Sequence, residues 1–273
     1  MSWWLIEVGA PGGDAEPVAR ALVEVSGQAV EERDGRVLGY AADRDAALAV
    51  ERSIRDRFGA GIEVRLSPVG DADWTTAWRE GLAVRTVGRL RLGPSWLLEP
   101  APDAIVIDPE MAFGSGEHGS TRGALTLLER HLVPGGAVLD LGSGSGILAI
   151  AARKLGADKA LGIEVDDEAT PIAEVNAERN GVSQSVRFVT GDAAALAPLA
   201  GPATVVVSNI LRNVNETLLA PIAAALTPDG LAIFAGMETP EAELFRPVLI
   251  GAGWTIVDEV IDEGWWSVAA RRA

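Results

Sequence analysis

Residues 137–155, AVLDLGSGSGILAIAARKL, decide the fold of this chain. An apolar run that ends at Leu141 predicts a buried strand, and the apolar spacing after Gly146 predicts a helix. Glycine occupies every second position between them, at Gly142, Gly144 and Gly146. In a doubly wound sheet, glycines in the first strand-to-helix turn let the backbone approach a ligand closely. The stretch therefore predicts an α/β fold that binds a ligand at this turn.

The rest of the chain predicts three regions. From 105 to 273, apolar strands alternate with helical patterns, and WTIVDEVID and WWSVAARR flank Glu263 and Gly264 at the end. This alternation predicts a mainly parallel sheet covered on both faces, with a terminal hairpin. Residues 1–67 have three strand and two helix patterns and predict a small α+β domain. Residues 68–104 are rich in Trp, Arg, Pro and Gly, and we interpret them as a connecting segment with short strands of its own.

Composition excludes several classes of site. The chain has no cysteine, so disulfides, thiolate zinc sites and a thiol nucleophile are excluded. His118 and His131 are its two histidines, and we therefore expect no metal site. The sequence begins without a basic leader, and no apolar run approaches the roughly 20 residues that span a bilayer. We expect a cytoplasmic protein without a membrane partner.

The charge balance bears on the choice of partner. With 39 acidic and 23 basic residues, the formal net charge is −16. Such a chain repels phosphate backbones, so we expect no direct nucleic-acid binding and favour a basic protein partner. The alternative is that the excess of acids only keeps the protein soluble. Oligomeric state is not predicted.

Two residues at the glycine turn argue against a dinucleotide. The dinucleotide pattern places its third glycine, or an alanine, five residues after the first, and Ile147 stands at that position. The carboxylate of Asp140, at the end of the strand, would repel a pyrophosphate. S-adenosylmethionine has no phosphate and carries an ammonium and a sulfonium, which the same carboxylate would attract. A nicotinamide dehydrogenase is therefore the least supported enzyme class.

Acidic residues also end the next two predicted strands. Glu164 lies about 20 residues after Gly142, where an acid can bind both ribose hydroxyls. Asp192 ends the third strand, ahead of an expected short turn, and is placed to meet the adenine. Asp140 and Asp192 have an alternative role as helix caps. The pattern predicts these cofactor-binding residues: Asp140, Gly142, Gly144, Gly146, Glu164 and Asp192.

Four stretches carry a further pattern: DPEMAFGSGEHGST (108–121), VLDLGSGSGILAIAARKLGA (138–157), GIEVDDEATPIAEVNAERNG (162–181) and VVVSNIL (205–211). Together they resemble the ribosomal protein L11 methyltransferases. The resemblance covers nearly the whole chain and includes DWTTAW and PSW, at 73–78 and 94–96. The glycine turn is shared by most class I methyltransferases, whereas the stretch at 108–121 is more specific.

The resemblance implies both architecture and activity. It implies a Rossmann-like class I methyltransferase domain, with a seven-stranded, mainly parallel sheet that ends in an antiparallel hairpin. A small ferredoxin-like α+β domain precedes it and recognises the ribosomal substrate. The methyl donor would be S-adenosylmethionine, and the acceptors would be α-amino or lysine groups of the ribosomal protein. The family's cofactor contacts fall on Thr121, Gly142, Glu164 and Asn209, with Phe113 and Gly114 in the loop over the methyl donor.

Asn209 is the candidate catalytic residue. Methyl transfer needs a neutral nucleophile in line with the sulfur–methyl bond, so the enzyme contributes mainly by placement and exclusion of water. The side-chain carbonyl of Asn209 can accept a hydrogen bond from an amine and orient its lone pair, but it cannot take the proton. We therefore expect proton removal by solvent and no obligatory general base. The alternative is an asparagine that satisfies amides at the strand end.

Some positions depart from the family pattern. The loop usually contains DPG, AFGTG and HPTT, where this chain has Glu110, Ser115, Gly119 and Ser120. Arg212 follows NIL, where relatives tend to have a small residue. Two alternatives therefore stay open: a class I methyltransferase for another protein or a small amine, and a binding module that keeps the cofactor pocket without turnover.

The loop and the aromatic residues carry further expectations. We expect Thr121 or Ser120 to cap the helix that follows the loop, and His118 to form a hydrogen bond within the loop rather than to catalyse. Trp265 and Trp266 are adjacent in a predicted strand and therefore point to opposite faces, so one of them should lie in the core.

Overall fold

The computed structural model describes residues 4–9, 16–26, 30–33, 35–59, 61–68, 82–108 and 113–272. The chain divides into two compact units, 1–81 and 82–273. This division lies inside the predicted connecting segment, so its second half belongs to the larger unit. Residues 85–106 pair with one another as short strands.

The smaller unit has a four-stranded antiparallel sheet with two helices on one face. Its strand order is β2-β3-β1-β4, as in the ferredoxin-like arrangement that the resemblance implied. Ile6 and Val8 alternate along β1 and are fully buried, together with Leu22 and Ile54 of the helices. The sequence pattern missed β2, a short strand. The elements are β1 (Trp4–Gly9), α1 (Glu16–Ser26), β2 (Glu31–Arg33), β3 (Arg36–Ala41), α2 (Arg44–Phe58) and β4 (Val64–Pro68).

The larger unit alternates strands and helices, as predicted. Its first three strands form a separate small sheet in the order β5-β6-β7. The elements are β5 (Arg85–Val87), β6 (Leu90–Gly93), β7 (Ala104–Val106), α3 (Gly119–His131), β8 (Ala137–Leu141), α4 (Ile147–Leu155), β9 (Lys159–Glu164), α5 (Ala169–Arg179), β10 (Val186–Thr190), α6 (Ala193–Ala200), β11 (Ala203–Asn209), α7 (Arg212–Ala225), β12 (Leu226–Glu238), α8 (Ala242–Gly251), β13 (Trp254–Asp262) and β14 (Trp265–Arg272).

The main sheet has seven strands in the order β10-β9-β8-β11-β12-β14-β13. Neighbouring strands from β10 to β12 are parallel, and β14 is antiparallel to both β12 and β13. This confirms the predicted fold class. The chain order runs outward from β8 in one direction and from β11 in the other. In such sheets ligands bind at the carboxyl ends of the strands where the order reverses, which here is between β8 and β11.

Successive residues of the central strands pack into two cores. Val138 lies in one core with α3 and α4, and Leu139 lies in the other with α7 and α8. Trp266 is fully buried in the second core, so one of the two adjacent tryptophans is a core residue, as expected. The hairpin turn between β13 and β14 has positive φ at Glu263 (46°) and Gly264 (84°), which suits a tight two-residue turn.

Helix α6 corrects the expectation of a short turn after β10. Alanine has the highest helix propensity, and Asp192 caps the helix because its Oδ1 accepts a hydrogen bond from the Ala194 amide at 2.9 Å. Pro198 lies inside the helix, where proline is normally disfavoured. Within the ranges that the structure describes, no helix is long and apolar enough to cross a membrane.

Candidate active site

A cavity of about 760 Å³ lies at the carboxyl ends of the strands on both sides of the point where the strand order reverses. This volume suits a small organic ligand. Six predicted site residues line it: Phe113, Gly142, Gly144, Glu164, Asp192 and Asn209. The other lining residues are His118, Ser120, Ile163, Val165, Gly191, Ala193, Ala194, Ile210, Leu211, Val214, Thr217, Leu218, Gly236 and Trp265.

The glycine turn approaches other parts of the chain closely. Gly142 has φ of 71° and Gly144 has φ of 50°, a region that other residues rarely adopt. A Cβ atom at Gly142 would collide with the side chain of Ile210, and one at Gly144 would collide with the Phe113 carbonyl oxygen. Gly146 lies behind the turn, where a Cβ would meet the Phe188 ring. The turn is therefore bare backbone on its cavity side.

Asp140 lies behind the turn and does not line the cavity. It is fully buried, and its Oδ2 accepts a hydrogen bond from the Ala149 amide at 3.0 Å, in the first turn of α4. Its Oδ1 has no hydrogen-bond partner among the described residues. Burial raises the pKa of Asp140 to about 7, and the negative charge of Glu164 adds to this shift. The residue thus holds the helix to the turn, which is the capping role that the sequence left open.

Glu164 joins the end of β9 to the glycine turn. Its Oε2 accepts a hydrogen bond from the Gly144 amide at 2.8 Å, and its Oε1 accepts from the amides of Val165 and Asp166 at 2.8 and 3.1 Å. Each carboxylate oxygen can accept more than one hydrogen bond. The carboxylate therefore has acceptor capacity left for a ligand hydroxyl at the cavity wall. Asp192 likewise lines the cavity in addition to capping α6.

Asn209 is the last residue of β11, and its side chain contacts α3. Its Nδ2 donates to Oγ1 of Thr121 at 3.3 Å, and Thr121 is fully buried in the first turn of α3. The Oδ1 of Asn209 is buried and has no hydrogen-bond partner within the described ranges. An unpaired buried carbonyl costs about 1–3 kcal/mol, so an oxygen left in this state indicates a place for an external donor.

The loop before α3 is bound to the glycine turn. The Ser145 amide donates to the Phe113 carbonyl at 2.9 Å, and the Ser145 hydroxyl donates to the Gly114 carbonyl at 2.6 Å. The expectation that Thr121 or Ser120 caps α3 is wrong. His118 is the N-cap residue, because Thr121 bonds to Asn209 and Ser120 bonds to His118.

Three aromatic side chains form one wall of the cavity, which we call the aromatic wall: Phe113, His118 and Trp265. The His118 ring lies 4.2 Å from the Trp265 ring and 5.3 Å from the Phe113 ring, between centroids. The Nδ1 of His118 lies 2.7 Å from the Ser120 hydroxyl, as expected of a hydrogen bond within the loop. Burial, with the positive charge of Arg122, lowers the pKa of His118 from its usual value. This shift favours the neutral form of the ring.

Comparison with known proteins identifies the chain. The family model described as "Ribosomal protein L11 methyltransferase (PrmA)" matches residues 1–273. The chain belongs to this family. A ribosomal protein L11 methyltransferase from Thermus thermophilus is 43% identical over 205 residues, which cover 75% of this chain and 79% of the relative. One from Macrococcus caseolyticus is 31% identical, covering 98% of this chain and 93% of the relative.

A solved structure agrees with this assignment. The ribosomal protein L11 methylase from Lactobacillus delbrueckii subsp. bulgaricus has 32% sequence identity and a TM-score of 0.63, over 69% of this chain and 98% of that chain. The resemblance found in the sequence is thus confirmed, and the protein is a methyltransferase that uses S-adenosylmethionine.

The cavity of the methyltransferase fits this cofactor. Its described lining contains acids but no lysine or arginine, whereas a pyrophosphate would favour basic side chains. The bare backbone at Gly142 and Gly144 and the acceptor capacity of Glu164 suit a nucleoside without phosphates. These observations give no support to a dinucleotide at the turn.

Two positions that depart from the family pattern, Arg212 and Gly119, lie in different parts of the structure. Arg212 does not line the cavity, because it forms ion pairs with Glu216 and, at 3.2 Å, with Glu241. Gly119 lies against the terminal hairpin, where a Cβ would collide with the carbonyl oxygen of Asp262. Arg212 therefore gives no reason to expect a different acceptor. The described residues do not include Glu110 or the DWTTAW stretch, which contains Trp74 and Trp78.

Sequence reasoning missed several residues of the methyltransferase cavity. Alternation along β14 showed that Trp265 and Trp266 face opposite sides, but it could not show that Trp265 reaches His118. Leu211 and Val214 follow the end of β11 and line the cavity, although they are 68% and 40% exposed. Their only signal was their position just after Asn209, at the carboxyl end of a parallel strand.

Proposed function

We propose that this methyltransferase transfers methyl groups from S-adenosylmethionine to α-amino or lysine groups of ribosomal protein L11. The named relatives support the acceptor, and the net charge of −16 suits a basic protein substrate rather than nucleic acid. A ribosomal substrate also supports action in the cytoplasm. The observation that carries the proposal is the unpartnered Oδ1 of Asn209, in the wall of a cavity that fits the cofactor.

The described residues divide into those that contact the cofactor and those that support them. Gly142 and Gly144 would present backbone to it, Glu164 would accept hydrogen bonds from its ribose hydroxyls, and Asp192 would lie beside its adenine. Phe113 would cover it from the loop. The supporting residues act from behind the cavity wall, and they are Gly114, Thr121, Asp140 and Gly146.

The acceptor must be neutral when it attacks. When bound, S-adenosylmethionine supplies an electrophilic methyl group on a sulfonium. At pH 7, deprotonating a lysine with a pKa near 10.4 costs about 4.6 kcal/mol, and an α-amino group costs about 1–1.4 kcal/mol. A cavity with few polar groups lowers both costs, because desolvation disfavours the ammonium form.

Asn209 orients the neutral amine. Thr121 fixes the carboxamide by accepting from Nδ2, which leaves Oδ1 to accept one N–H of the acceptor and direct its lone pair at the methyl group. An amide cannot remove the proton, so the proton leaves to solvent before attack. No general base is required in this scheme.

Replacing Asn209 tests this role. For Asn209→Ala, we expect turnover to fall about 10- to 100-fold, because one oriented hydrogen bond is lost, while cofactor affinity changes little. Turnover is measured with labelled S-adenosylmethionine and purified L11, and cofactor binding by calorimetry. Asn213→Ala, at an exposed position of α7, is the matched control. Unchanged turnover in Asn209→Ala would remove Asn209 from the mechanism, and label on other ribosomal proteins but not on L11 would overturn the acceptor.

A further inference from the structure

Arg122 joins the loop before α3 to the terminal hairpin. Its guanidinium is 10% exposed and donates to both carboxylate oxygens of Asp262, at 2.8 and 2.9 Å. It also pairs with Glu263 at 2.8 Å and donates to the carbonyl oxygen of Glu117. One buried cation thus holds three chain positions from two segments that are far apart in sequence.

The two segments that Arg122 joins each carry a ring of the aromatic wall. His118 directly follows Glu117 in the loop, and Trp265 lies two residues after Glu263 in the hairpin. Their rings lie 4.2 Å apart and both line the cavity, although Arg122 itself does not. Gly119 allows this approach, because a Cβ there would collide with the carbonyl oxygen of Asp262. Arg122 thus bridges the two segments that carry these rings.

Within the aromatic wall, His118 lies on the Asn209 side of the cavity. Thr121, which bonds to Asn209, is in the same first turn of α3 that follows His118. Glu164 and Asp192, the proposed nucleoside contacts, follow β9 and β10, on the other side of β8 from Asn209. A change in the spacing of the aromatic wall should therefore affect the acceptor amine more than the nucleoside.

We propose that Arg122 is a positioning residue for the acceptor, which holds His118 against Trp265 and so sets the width of the cavity beside Asn209. The proposal rests on the function proposed above. Without the guanidinium, the carboxylates of Asp262 and Glu263 lose their shared cation, and the carbonyl oxygen of Glu117 loses its donor. The hairpin and the loop then lose the contact that joins them at this point.

The same helix offers a matched control. Arg130, at the other end of α3, pairs with Asp258 of β13 at 3.2 Å, as Arg122 pairs with Asp262 of the same strand. Neither Arg130 nor Asp258 lines the cavity. Arg130→Met therefore removes an ion pair between the same two elements without touching the aromatic wall.

The test compares Arg122→Met, Arg122→Lys and Arg130→Met in the full chain, with L11 as acceptor. For Arg122→Met we expect the KM for L11 to rise about 10- to 100-fold, the size of effect that loss of a charge-assisted bidentate contact produces. Cofactor affinity, measured by calorimetry, should stay within about 3-fold of that of the unaltered protein. Arg122→Lys should restore part of the loss because the charge remains. Arg130→Met should match the unaltered protein in both measurements.

A double-variant cycle separates positioning from simple support of the fold. If Arg122 acts through the aromatic wall, Arg122→Met should add little to the effect of Trp265→Ala on the KM for L11, because the two changes remove the same feature. Additive effects would overturn the proposal, as would a KM for L11 unchanged in Arg122→Met or an equal loss in Arg130→Met. A large loss of cofactor affinity in Arg122→Met would also overturn it. No transfer to L11 by the unaltered protein would overturn the proposed function and this inference together.

Discussion

Asp140 shows how one buried side chain serves both the fold and the proposed cofactor. Its Oδ2 is used by the Ala149 amide, and its Oδ1 has no partner among the described residues. An ionised carboxylate in this position lacks compensation until a cation arrives nearby. Because burial raises the pKa of Asp140 to about 7, its charge state is sensitive to pH near neutrality.

This pKa predicts a pH-dependent cofactor affinity. The cationic cofactor favours the ionised carboxylate, so affinity should fall as the pH drops through about 7, by up to about 10-fold for each unit below that value. In Asp140→Asn the dependence should disappear. Calorimetry between pH 6 and 8 measures the cofactor affinity of both proteins. Asp167→Asn, which removes an exposed acid, should show the same change of affinity with pH as the unaltered protein. Equal slopes in Asp140→Asn and the unaltered protein would show that Asp140 does not respond to the cofactor.

Helix α5 positions the site through one buried asparagine. The Nδ2 of Asn176 donates to the Ser145 carbonyl at 3.0 Å and to the Asp108 carbonyl at 3.3 Å, and its Oδ1 accepts from the Asp108 amide at 3.1 Å. Asn176 is fully buried. The glycine turn and the residue that precedes the loop are therefore held to the same helix.

Replacing Asn176 should loosen both segments. In Asn176→Ala the Asp108 amide and the Ser145 carbonyl lose a buried partner, and we expect the free energy of unfolding to fall by about 1–3 kcal/mol. Cofactor affinity should fall as well, because Ser145 lies in the turn. Urea unfolding and calorimetry measure the two effects. Glu174→Ala, at an exposed position of the same helix, should change neither, and a stable Asn176→Ala with full affinity would contradict this role.

The two units have separate cores. Residues such as Ile6, Leu22 and Ile54 form the core of the smaller unit, and two other cores lie on the faces of the seven-stranded sheet. Among the residues that the structure describes, those that line the cavity lie between 113 and 265, within the larger unit. This separation supports the proposal that the larger unit binds the cofactor and the smaller one recognises the substrate.

Removal of the smaller unit tests that division. We expect residues 82–273 alone to fold and to bind S-adenosylmethionine within about 3-fold of the full chain, because their cores and cavity are complete. Methylation of L11 should be lost, since recognition is assigned to the other unit. Calorimetry and transfer of labelled methyl groups check the two expectations. Full activity of the fragment on L11 would contradict the assigned role, and failure to bind the cofactor would contradict the independence of the unit.

Local patterns were sufficient for the fold class and for much of the cavity. The glycine turn, Glu164 and Asp192 could be placed because parallel strands all end at the same edge of a sheet, so each strand end found in the sequence marks a position at the cavity. Asn209, which the family resemblance supplied, ends a strand at the same edge. The terminal hairpin followed from alternation on both sides of Glu263 and Gly264. The short β2 and the proline-containing α6 were missed because their local signals were weak or misleading.

Contacts between distant segments could not be found in this way. Asp140 and Gly146 belong to the same stretch as Gly142, yet they lie behind the turn. The tertiary contacts show this, because Gly146 packs against the Phe188 ring and Asp140 bonds to the Ala149 amide. The pairs His118 with Trp265 and Arg122 with Asp262 join positions more than 100 residues apart. Periodicity reports which face of its own element a residue occupies, whereas the partner across the cavity depends on how separate elements pack together.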